Sequence, residues 1–314
     1  EKIIWLILIP LLITNVIILF RYSLIGFDFS RVNSVLDPFY RNKVNYASFM
    51  VCFLPFIVYL LFQQKKQSFK WFFLIAAIGI QFIALYYTYT RAVYVTIAGA
   101  VGFYFIYNFK LAKLAVMCSI ILSIAAGTYL THNNTYLDFA PDYNKTIYHD
   151  DFGNLLDATT KLQDISTMER VYRWVAAYYM IKEKPLMGFG PGNFYSNYKN
   201  YTVRSFETYV SDNEEQSGVH SYYLMTFVEQ GLFGFIFFIV LCLYVILKAE
   251  RIYHKVKERS LKHLVMAASL SLIIIFQLLI INDMVETDKV GSFFFFNMAL
   301  LILIDLKTKD FIKT

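Results

Sequence analysis

The sequence predicts an all-α polytopic membrane protein with one long loop between its membrane helices. Of the 314 residues, 58% are hydrophobic and 19% are aromatic, and the mean hydropathy is +0.49. Soluble domains are only about 45–50% apolar. Here the apolar residues form long blocks, which is typical of membrane-spanning helices. The three cysteines lie inside these blocks without metal-ligand spacing, so we predict neither a metal site nor a cofactor.

About eight of these blocks can cross a membrane, because a helix needs about 20 residues to span the hydrocarbon core. They are 3–20, 44–62, 71–89, 92–108, 111–130, 221–247, 263–281 and 291–306. We treat 1–314 as a single membrane domain. The first residue is Glu1 rather than methionine and an apolar block begins at once, so we expect further membrane helices before it.

The basic residues indicate how these helices are oriented. Lysines and arginines are concentrated in the turns after the second, fourth and sixth blocks and in the C-terminal tail. Alternating helices place all four groups on one face, which the positive-inside rule marks as cytoplasmic. The opposite face then carries Arg91, the loop 131–219 and the acidic turn 283–288. The same distribution accounts for the net charge of +6 without a nucleic-acid partner.

Two basic features nevertheless fall on the extracytoplasmic face. The loop 21–43 carries three arginines and a lysine against two aspartates. Arg91 ends an apolar block, where a guanidinium costs ~3 kcal/mol unless it reaches the interface or has a partner. For both features two explanations stay open. The first is ordinary variation in loop charge or snorkelling of the side chain, and the second is binding of an anion.

The extracytoplasmic loop 131–219 has two parts. Residues 131–165 are rich in Asn, Asp, Thr and Tyr without periodicity, so we predict irregular structure. Residues 167–184 are predicted to form an amphipathic helix at the membrane interface, because apolar residues recur at helical spacing and Pro185 follows a lysine-bearing end. The apolar stripe consists of Val171, Trp174, Val175, Tyr178 and Ile181.

Two further details concern this predicted helix. Ser166 and Glu169, three residues apart, form a capping box that would start it. Arg170 lies four residues before Trp174 and therefore shares its face. The helix can thus direct an arginine inward, over the membrane domain.

A glycine-rich turn, Gly188-Phe189-Gly190-Pro191-Gly192, follows the helix. It is not a nucleotide-binding loop, since no strand precedes it and it lacks both the Walker lysine and the Rossmann spacing. Gly190 and Gly192 are better explained as parts of a hinge or scaffold. A tight turn of this kind can also bring backbone amides close to a ligand.

His220 lies where the loop re-enters the membrane, at the predicted start of the sixth helix. A lone histidine is more often structural than catalytic. Here the helix dipole disfavours the imidazolium form and keeps a neutral base available. His220 also shares a predicted face with Arg91, Arg170 and Arg173. A neutral imidazole beside guanidinium groups can deprotonate a hydroxyl while a phosphate is bound.

Glu229 falls inside the sixth apolar block and is followed by Gly231 and Gly234. A carboxylate at this depth needs a partner, and one of the arginines is a candidate. We favour a structural ion pair over a catalytic role, because a carboxylate would repel a substrate that carries phosphate.

These motifs together resemble the O-antigen ligase and polymerase superfamily. The resemblance covers about residues 85–245 and consists of an arginine after an extracytoplasmic helix end, Arg-x3-Trp, a glycine turn ending in Asn-Phe, a loop histidine, and Glu-x-Gly-x-x-Gly. In this chain they are Arg91, Arg170 with Trp174, Pro185 to Phe194, His220, and Glu229 to Gly234. Ser221 stands where the family usually has asparagine, and Thr90-Arg91-Ala92 replaces the usual Ser-Arg-Gly. The eight blocks are fewer than the family's usual number of helices.

The resemblance implies a bacterial inner-membrane glycosyltransferase with a periplasmic active site. Such enzymes transfer a glycan from undecaprenyl diphosphate to an acceptor hydroxyl without a metal ion or nucleotide sugar. By position, Arg91 and Arg170 would hold the diphosphate and His220 would be the base, with Arg173 as a further candidate. Supporting positions are Trp174, Gly190, Gly192, Ser221, Tyr222 and Glu229.

The acceptor stays open at this point. In the superfamily it is lipid A core for ligases, another lipid-linked glycan for polymerases, and a protein serine or threonine for O-oligosaccharyltransferases. Two functions of another class are alternatives. A transporter or flippase predicts ionisable residues within several helices and an internal repeat, and the first five blocks contain few such residues. A non-catalytic subunit of an envelope complex, in contact mainly with membrane lipids and partner proteins, remains an alternative.

Overall fold

The computed structural model describes residues 1–140, 165–208, 211–214 and 216–313, and these are largely helical. Most of the irregular part predicted at 131–165 lies outside the described residues. The long helices, in chain order, are α1 (Lys2–Leu24), α2 (Lys43–Gln63), α3 (Phe69–Tyr87), α4 (Arg91–Asn108), α5 (Ala112–Thr131), α6 (Ile165–Glu183), α7 (Tyr222–Lys255), α8 (Arg259–Leu278) and α9 (Asp288–Lys313).

The chain is an all-α polytopic membrane protein, as predicted. Within the described ranges, seven helices are long and apolar enough to cross a membrane, namely α1, α2, α3, α5, α7, α8 and α9. The eighth predicted block, 92–108, does form helix α4, but it is not among the seven. Its threonine, glycines and tyrosines, together with Arg91 and Asn108 at its ends, make it less apolar than the others.

Much of the apolar surface faces outward, as expected of helices in lipid. Leu6 on α1 is 73% exposed and Phe237 on α7 is also 73% exposed. Of the most apolar 18-residue stretch of helix α5, only 6% is buried inside the protein. Contiguous exposed apolar surface of this kind is rare on soluble monomers and indicates contact with a membrane.

The helices form two compact units. The first unit contains Glu1–Ala112, Val245–Leu278 and Met284–Thr314. The second contains Lys113–Tyr244 and Leu279–Asp283. Helix α7 contributes its first part to the second unit and its last part to the first.

Helix α8 is the centre of the first unit, where it packs against α2, α4 and α9. Of its most apolar 18-residue stretch, 67% is buried inside the protein. Small side chains such as Ala267, Ala268 and Ser271 allow these neighbours to approach closely. Asn297 on α9 donates to the hydroxyl of Ser271 at 3.0 Å, which adds a polar contact inside the buried face.

Local capping explains where two helices of the first unit begin. The side chain of Asn42 accepts the N–H of Asn45 at the start of α2, and Ser68 accepts the N–H of Trp71 at the start of α3. These bonds satisfy N–H groups that the first turn of a helix leaves without partners.

The core of the second unit is built by α6 and the helical turns that follow it. Val175, Ala176 and Met180 on α6 pack with Phe194 and Tyr198, whose rings stack with centroids 5.0 Å apart. Large aromatic rings of this kind contribute strongly to the apolar burial of a core. This core positions the buried face of α6.

Helix α7 is interrupted at Gly231, whose φ of 67° and ψ of −167° are accessible essentially only to glycine. In a regular helix the N–H of Leu232 would bond to the carbonyl of Val228. It donates instead to the carbonyl of Pro185 at 2.8 Å. The break therefore opens the hydrogen-bonding pattern of α7 in the third turn of the helix.

The glycine turn 188–192 occupies this opening. The N–H of Phe189 donates to the carbonyl of Val228 at 2.9 Å, and the N–H of Gly190 donates to the carbonyl of Glu229 at 2.8 Å. The two segments are too close for side chains at this point. A Cβ on Gly231 would lie 2.1 Å from the carbonyl oxygen of Leu186.

We predict that Gly231→Ala prevents stable folding, because its Cβ would overlap backbone atoms that cannot move without losing the hydrogen bonds above. Gly192→Ala is the matched control. Gly192 also has a positive φ, of 76°, but nothing lies within 4 Å of its Cβ position. It should therefore cost only the left-handed backbone, about 1–2 kcal/mol. Thermal unfolding of the purified variants in detergent measures the difference, and similar losses for both would contradict the prediction.

Candidate functional site

Helix α6 carries two arginines and a glutamate at the predicted site. Arg173 is only 5% exposed and Glu169 only 7%. The buried face of the helix therefore includes these charged residues and is displaced from the predicted apolar stripe. Of that stripe Val175 is buried, whereas Trp174 and the remaining members are only partly buried.

The predicted capping box is wrong. Ser166 lies inside α6 rather than at its N-cap, and its hydroxyl accepts from Nη1 of Arg170 at 2.7 Å. The carboxylate of Glu169 does not turn back to the helix start. It accepts instead from the hydroxyls of Thr208 and Ser211, which lie in a distant loop.

The guanidinium of Arg173 is buried but poorly satisfied. Nη2 is 3.4 Å from Oε2 of Glu169, and Nη1 is 3.5 Å from the carbonyl oxygen of Gly218. Within the described part of the chain, Nε has no hydrogen-bond partner. Charge-assisted hydrogen bonds are usually about 2.7–2.9 Å long. Arg173 thus has donor capacity left for an anion.

Arg170 lies one turn earlier on α6 and is more firmly held. Its Nε donates to the carbonyl of Ile281 at 3.2 Å, and its Nη1 donates to the carbonyl of Ser166 at 2.9 Å. These bonds fix the direction of the side chain. The two arginines together place two positive charges on α6 in the second unit.

His220 is held by its backbone. Its N–H donates to Oδ2 of Asp283 at 2.8 Å, and its carbonyl accepts from Nε1 of Trp174 at 3.4 Å. The residue adopts a left-handed conformation with φ 58°. For a residue other than glycine this backbone conformation costs about 1–3 kcal/mol, and such strain is concentrated at functional sites.

The imidazole of His220 is neutral, and its ring nitrogens have no hydrogen-bond partner among the described residues. Its burial, together with the positive charges of Arg173 and Arg170, lowers its pKa from 6.5 to about 3. Burial disfavours the charged form and the nearby cations repel a second positive charge. The neutral state was predicted, but its largest cause is burial rather than the helix dipole.

The remaining predicted residues of the second unit have structural contacts. The carboxylate of Glu229 accepts the backbone N–H of Phe194 at 3.2 Å, so its partner is not an arginine. Ser221 is buried and its carbonyl accepts the N–H of Met225 at the start of α7. The N–H of Tyr222 donates to the carbonyl of Leu279 at 3.0 Å.

Arg91 belongs to the first unit, where it is the first residue of α4 and is partly exposed. Its predicted role in holding a diphosphate stays a prediction. In the basic loop 21–43 of the same unit, Arg21 donates to the carbonyl of Asp37 and lies over the ring of Phe39.

Sequence reasoning missed three residues at this site. Thr208 and Ser211 bond to Glu169 across about 40 residues of chain, and Asp283 reaches His220 from the turn that follows α8. Thr208 and Ser211 lie in a polar loop without periodicity, so no local pattern could identify them. Asp283 lies in the acidic turn 283–288, whose sequence gives no sign of a contact with His220.

Comparison with known proteins identifies the family of the chain. A family model described as O-antigen ligase matches residues 76–239, just over half of the 314 residues. The matched stretch includes every site residue predicted from the sequence, from Arg91 to Glu229. No curated protein matches the chain.

His220 should make the stability of the protein depend on pH. Between about pH 6.5 and 3 the unfolded chain binds a proton that the folded chain excludes, because the folded pKa is about 3. Above about pH 6.5 the titration of His220 therefore does not change the free energy of unfolding. As the pH is lowered from about 6.5 to 3, the free energy of unfolding falls by up to about 1.4 kcal/mol per pH unit. His220→Gln should unfold at a higher temperature than the wild type in acid, with a difference that grows as pH falls. The matched control is His132→Gln, an exposed histidine of the same unit, and equal acid slopes for wild type and His220→Gln would contradict the prediction.

Proposed function

Because the chain belongs to the O-antigen ligase family, we propose that it is a glycosyltransferase that moves a glycan from undecaprenyl diphosphate to an acceptor hydroxyl. The observation that carries this proposal is the neutral imidazole of His220 in the electrostatic field of Arg170 and Arg173. A base and a pair of cations are the groups that such a transfer requires.

In the proposed reaction the oxygen of the acceptor hydroxyl attacks the anomeric carbon of the glycan. The bond from that carbon to the diphosphate oxygen breaks, and undecaprenyl diphosphate leaves with the electron pair. His220 takes the proton of the acceptor hydroxyl. The products are the glycosylated acceptor and the lipid diphosphate, and no other reactant is consumed.

The arginines have the properties that a leaving diphosphate needs. A guanidinium is always charged, and its planar fork matches phosphate oxygens. The incompletely satisfied donors of Arg173 are fixed inside the protein before the reaction begins. Donors fixed in this way stabilise the charge that develops on the leaving group without having to reorganise. Arg170, held by Ile281 and Ser166, would supply the second cation.

A pKa of about 3 makes His220 a weak base in the free protein, whereas a good general base has a pKa near the working pH. Burial is the largest cause of this low pKa, and the repulsion by the two arginines adds to it. The diphosphate of the donor brings negative charge to the arginines, offsets their repulsion and raises the pKa of His220. We therefore propose that His220 is a stronger base when the donor is bound than in the free protein.

We place the reaction at the periplasmic face of a bacterial inner membrane. The distribution of basic residues supports this orientation for the second unit. The acceptor is proposed to be lipid A core, as in an O-antigen ligase. A polymerase or a protein O-oligosaccharyltransferase would use the same donor chemistry, so the glycan phenotype decides between them.

The first test is the glycan phenotype of a strain that lacks the gene and is complemented with variants. We expect His220→Ala to reduce transfer by at least about 100-fold, because the step loses its base, and to leave the amount of protein in the membrane unchanged. Glycan attached to undecaprenyl diphosphate should accumulate. Single repeat units on the final acceptor would instead indicate a polymerase, and modified serine or threonine residues a protein glycosyltransferase.

Two arginine variants extend this test. Arg170→Ala should raise the KM for the donor. Arg173→Lys should do the same while it keeps the buried positive charge, because lysine cannot present the planar fork. The exposed Arg204 in the same unit provides the matched control, Arg204→Ala. Normal transfer by His220→Ala, at wild-type protein level, would refute the proposed mechanism.

The pH profiles should separate the free enzyme from its donor complex. The acid limb of kcat/KM reports the free enzyme, and that of kcat reports the complex. Since the donor offsets the charges of the arginines, the acid limb of kcat should lie at least about one pH unit above that of kcat/KM. The measurement is initial rates across pH with purified protein in liposomes. Coincident acid limbs would show that the donor does not alter the base.

A further inference from the structure

A buried carboxylate lies beside Arg173 and accepts from two hydroxyls, and none of these groups has a role in the reaction steps above. Oε1 of Glu169 accepts from Oγ1 of Thr208 and from Oγ of Ser211, the latter at 2.7 Å. Its other oxygen, Oε2, lies 3.4 Å from Nη2 of Arg173. The carboxylate is therefore held closely by the hydroxyls and only loosely by the arginine.

This arrangement is unusual for a buried ion pair. The side chain of Arg173 is 6% exposed and that of Glu169 is 9% exposed, so water screens their attraction only weakly. An unrestrained pair would close to about 2.7–2.9 Å. The two hydroxyls also support each other, since Oγ of Ser211 accepts the backbone N–H of Thr208 at 2.9 Å. Both hydroxyls donate to the same oxygen of Glu169.

We propose that Thr208 and Ser211 hold Glu169 back from Arg173, so that the guanidinium keeps incompletely satisfied N–H groups for the donor diphosphate. The inference rests on the proposed function, because it takes the anion at Arg173 to be that diphosphate. Glu169, Thr208 and Ser211 are positioning residues in this scheme, since each acts through Arg173.

The scheme makes Glu169 a competitor of the diphosphate. Without the two hydroxyls its carboxylate loses its strongest donors and closes on Arg173. The diphosphate must then displace a tight ion pair. Replacing the carboxylate with an amide removes this competition, because a neutral amide does not attract the guanidinium in the same way.

The test is binding of geranylgeranyl diphosphate to the purified full chain in detergent, with uncharged geranylgeraniol as the reference ligand. Thr208→Val combined with Ser211→Ala should weaken binding of the diphosphate by roughly tenfold, the equivalent of about one charge-assisted hydrogen bond. Adding Glu169→Gln to this double variant should restore the affinity. The matched control is Ser205→Ala, an exposed serine three residues before Thr208.

A purely structural role for the hydroxyls predicts a different result. The double variant would then lose affinity in parallel with thermal stability, and Glu169→Gln would damage it further, so failure of the rescue overturns the proposal. Wild-type affinity in the double variant also overturns it, provided that Arg173→Lys still weakens binding. If the unmodified protein does not distinguish the diphosphate from geranylgeraniol, the proposed function itself fails.

Discussion

The break in helix α7 at Gly231 is the constraint on which the second unit depends. It releases the N–H of Leu232 to Pro185 and frees the carbonyls of Val228 and Glu229 for the glycine turn. Through these bonds the C-terminal end of α6 is fixed to the third turn of α7. Since α6 carries Arg170 and Arg173, and the segment before α7 carries His220, this junction sets how the charged groups of the unit are spaced.

The electrostatics of the unit follow from that spacing. Burial of His220 disfavours its charged form, and the two arginines on α6 repel the ring only when it is protonated. The folded protein therefore favours the neutral imidazole, and the pKa of His220 falls to about 3. Asp283 could have offset this by pairing with the ring, but its Oδ2 accepts the backbone N–H of His220. The carboxylate thereby orders the loop while the imidazole keeps its lone pair free.

The sequence was sufficient for features that depend on local composition. Of the eight membrane blocks predicted from hydropathy, seven correspond to the apolar helices of the described residues and the block 92–108 does not. Hydropathy succeeds because the energy of placing a segment in lipid depends on its own residues. The same reasoning located α6 and assigned a scaffold role to the glycine turn. It could not reveal contacts between distant segments. Glu169 was predicted to cap its own helix, yet its carboxylate bonds to Thr208 and Ser211, and Glu229 bonds to Phe194.

Buried charge in this unit is arranged in a way that does not maximise stability. Removing an arginine from water costs several kcal/mol, and only good pairing repays that cost. Arg173 is paired at 3.4 Å with a carboxylate that two hydroxyls hold on its other side, and its Nε has no partner among the described residues. A protein selected for stability alone would close this pair or replace it with apolar side chains. Incomplete pairing becomes useful when an anion is to be bound and released, because the bound anion completes the coordination that the fold leaves unfinished. The left-handed backbone of His220 is likewise unfavourable for stability. Both features cost stability in the free protein, and both lie where the proposed diphosphate and acceptor hydroxyl would meet.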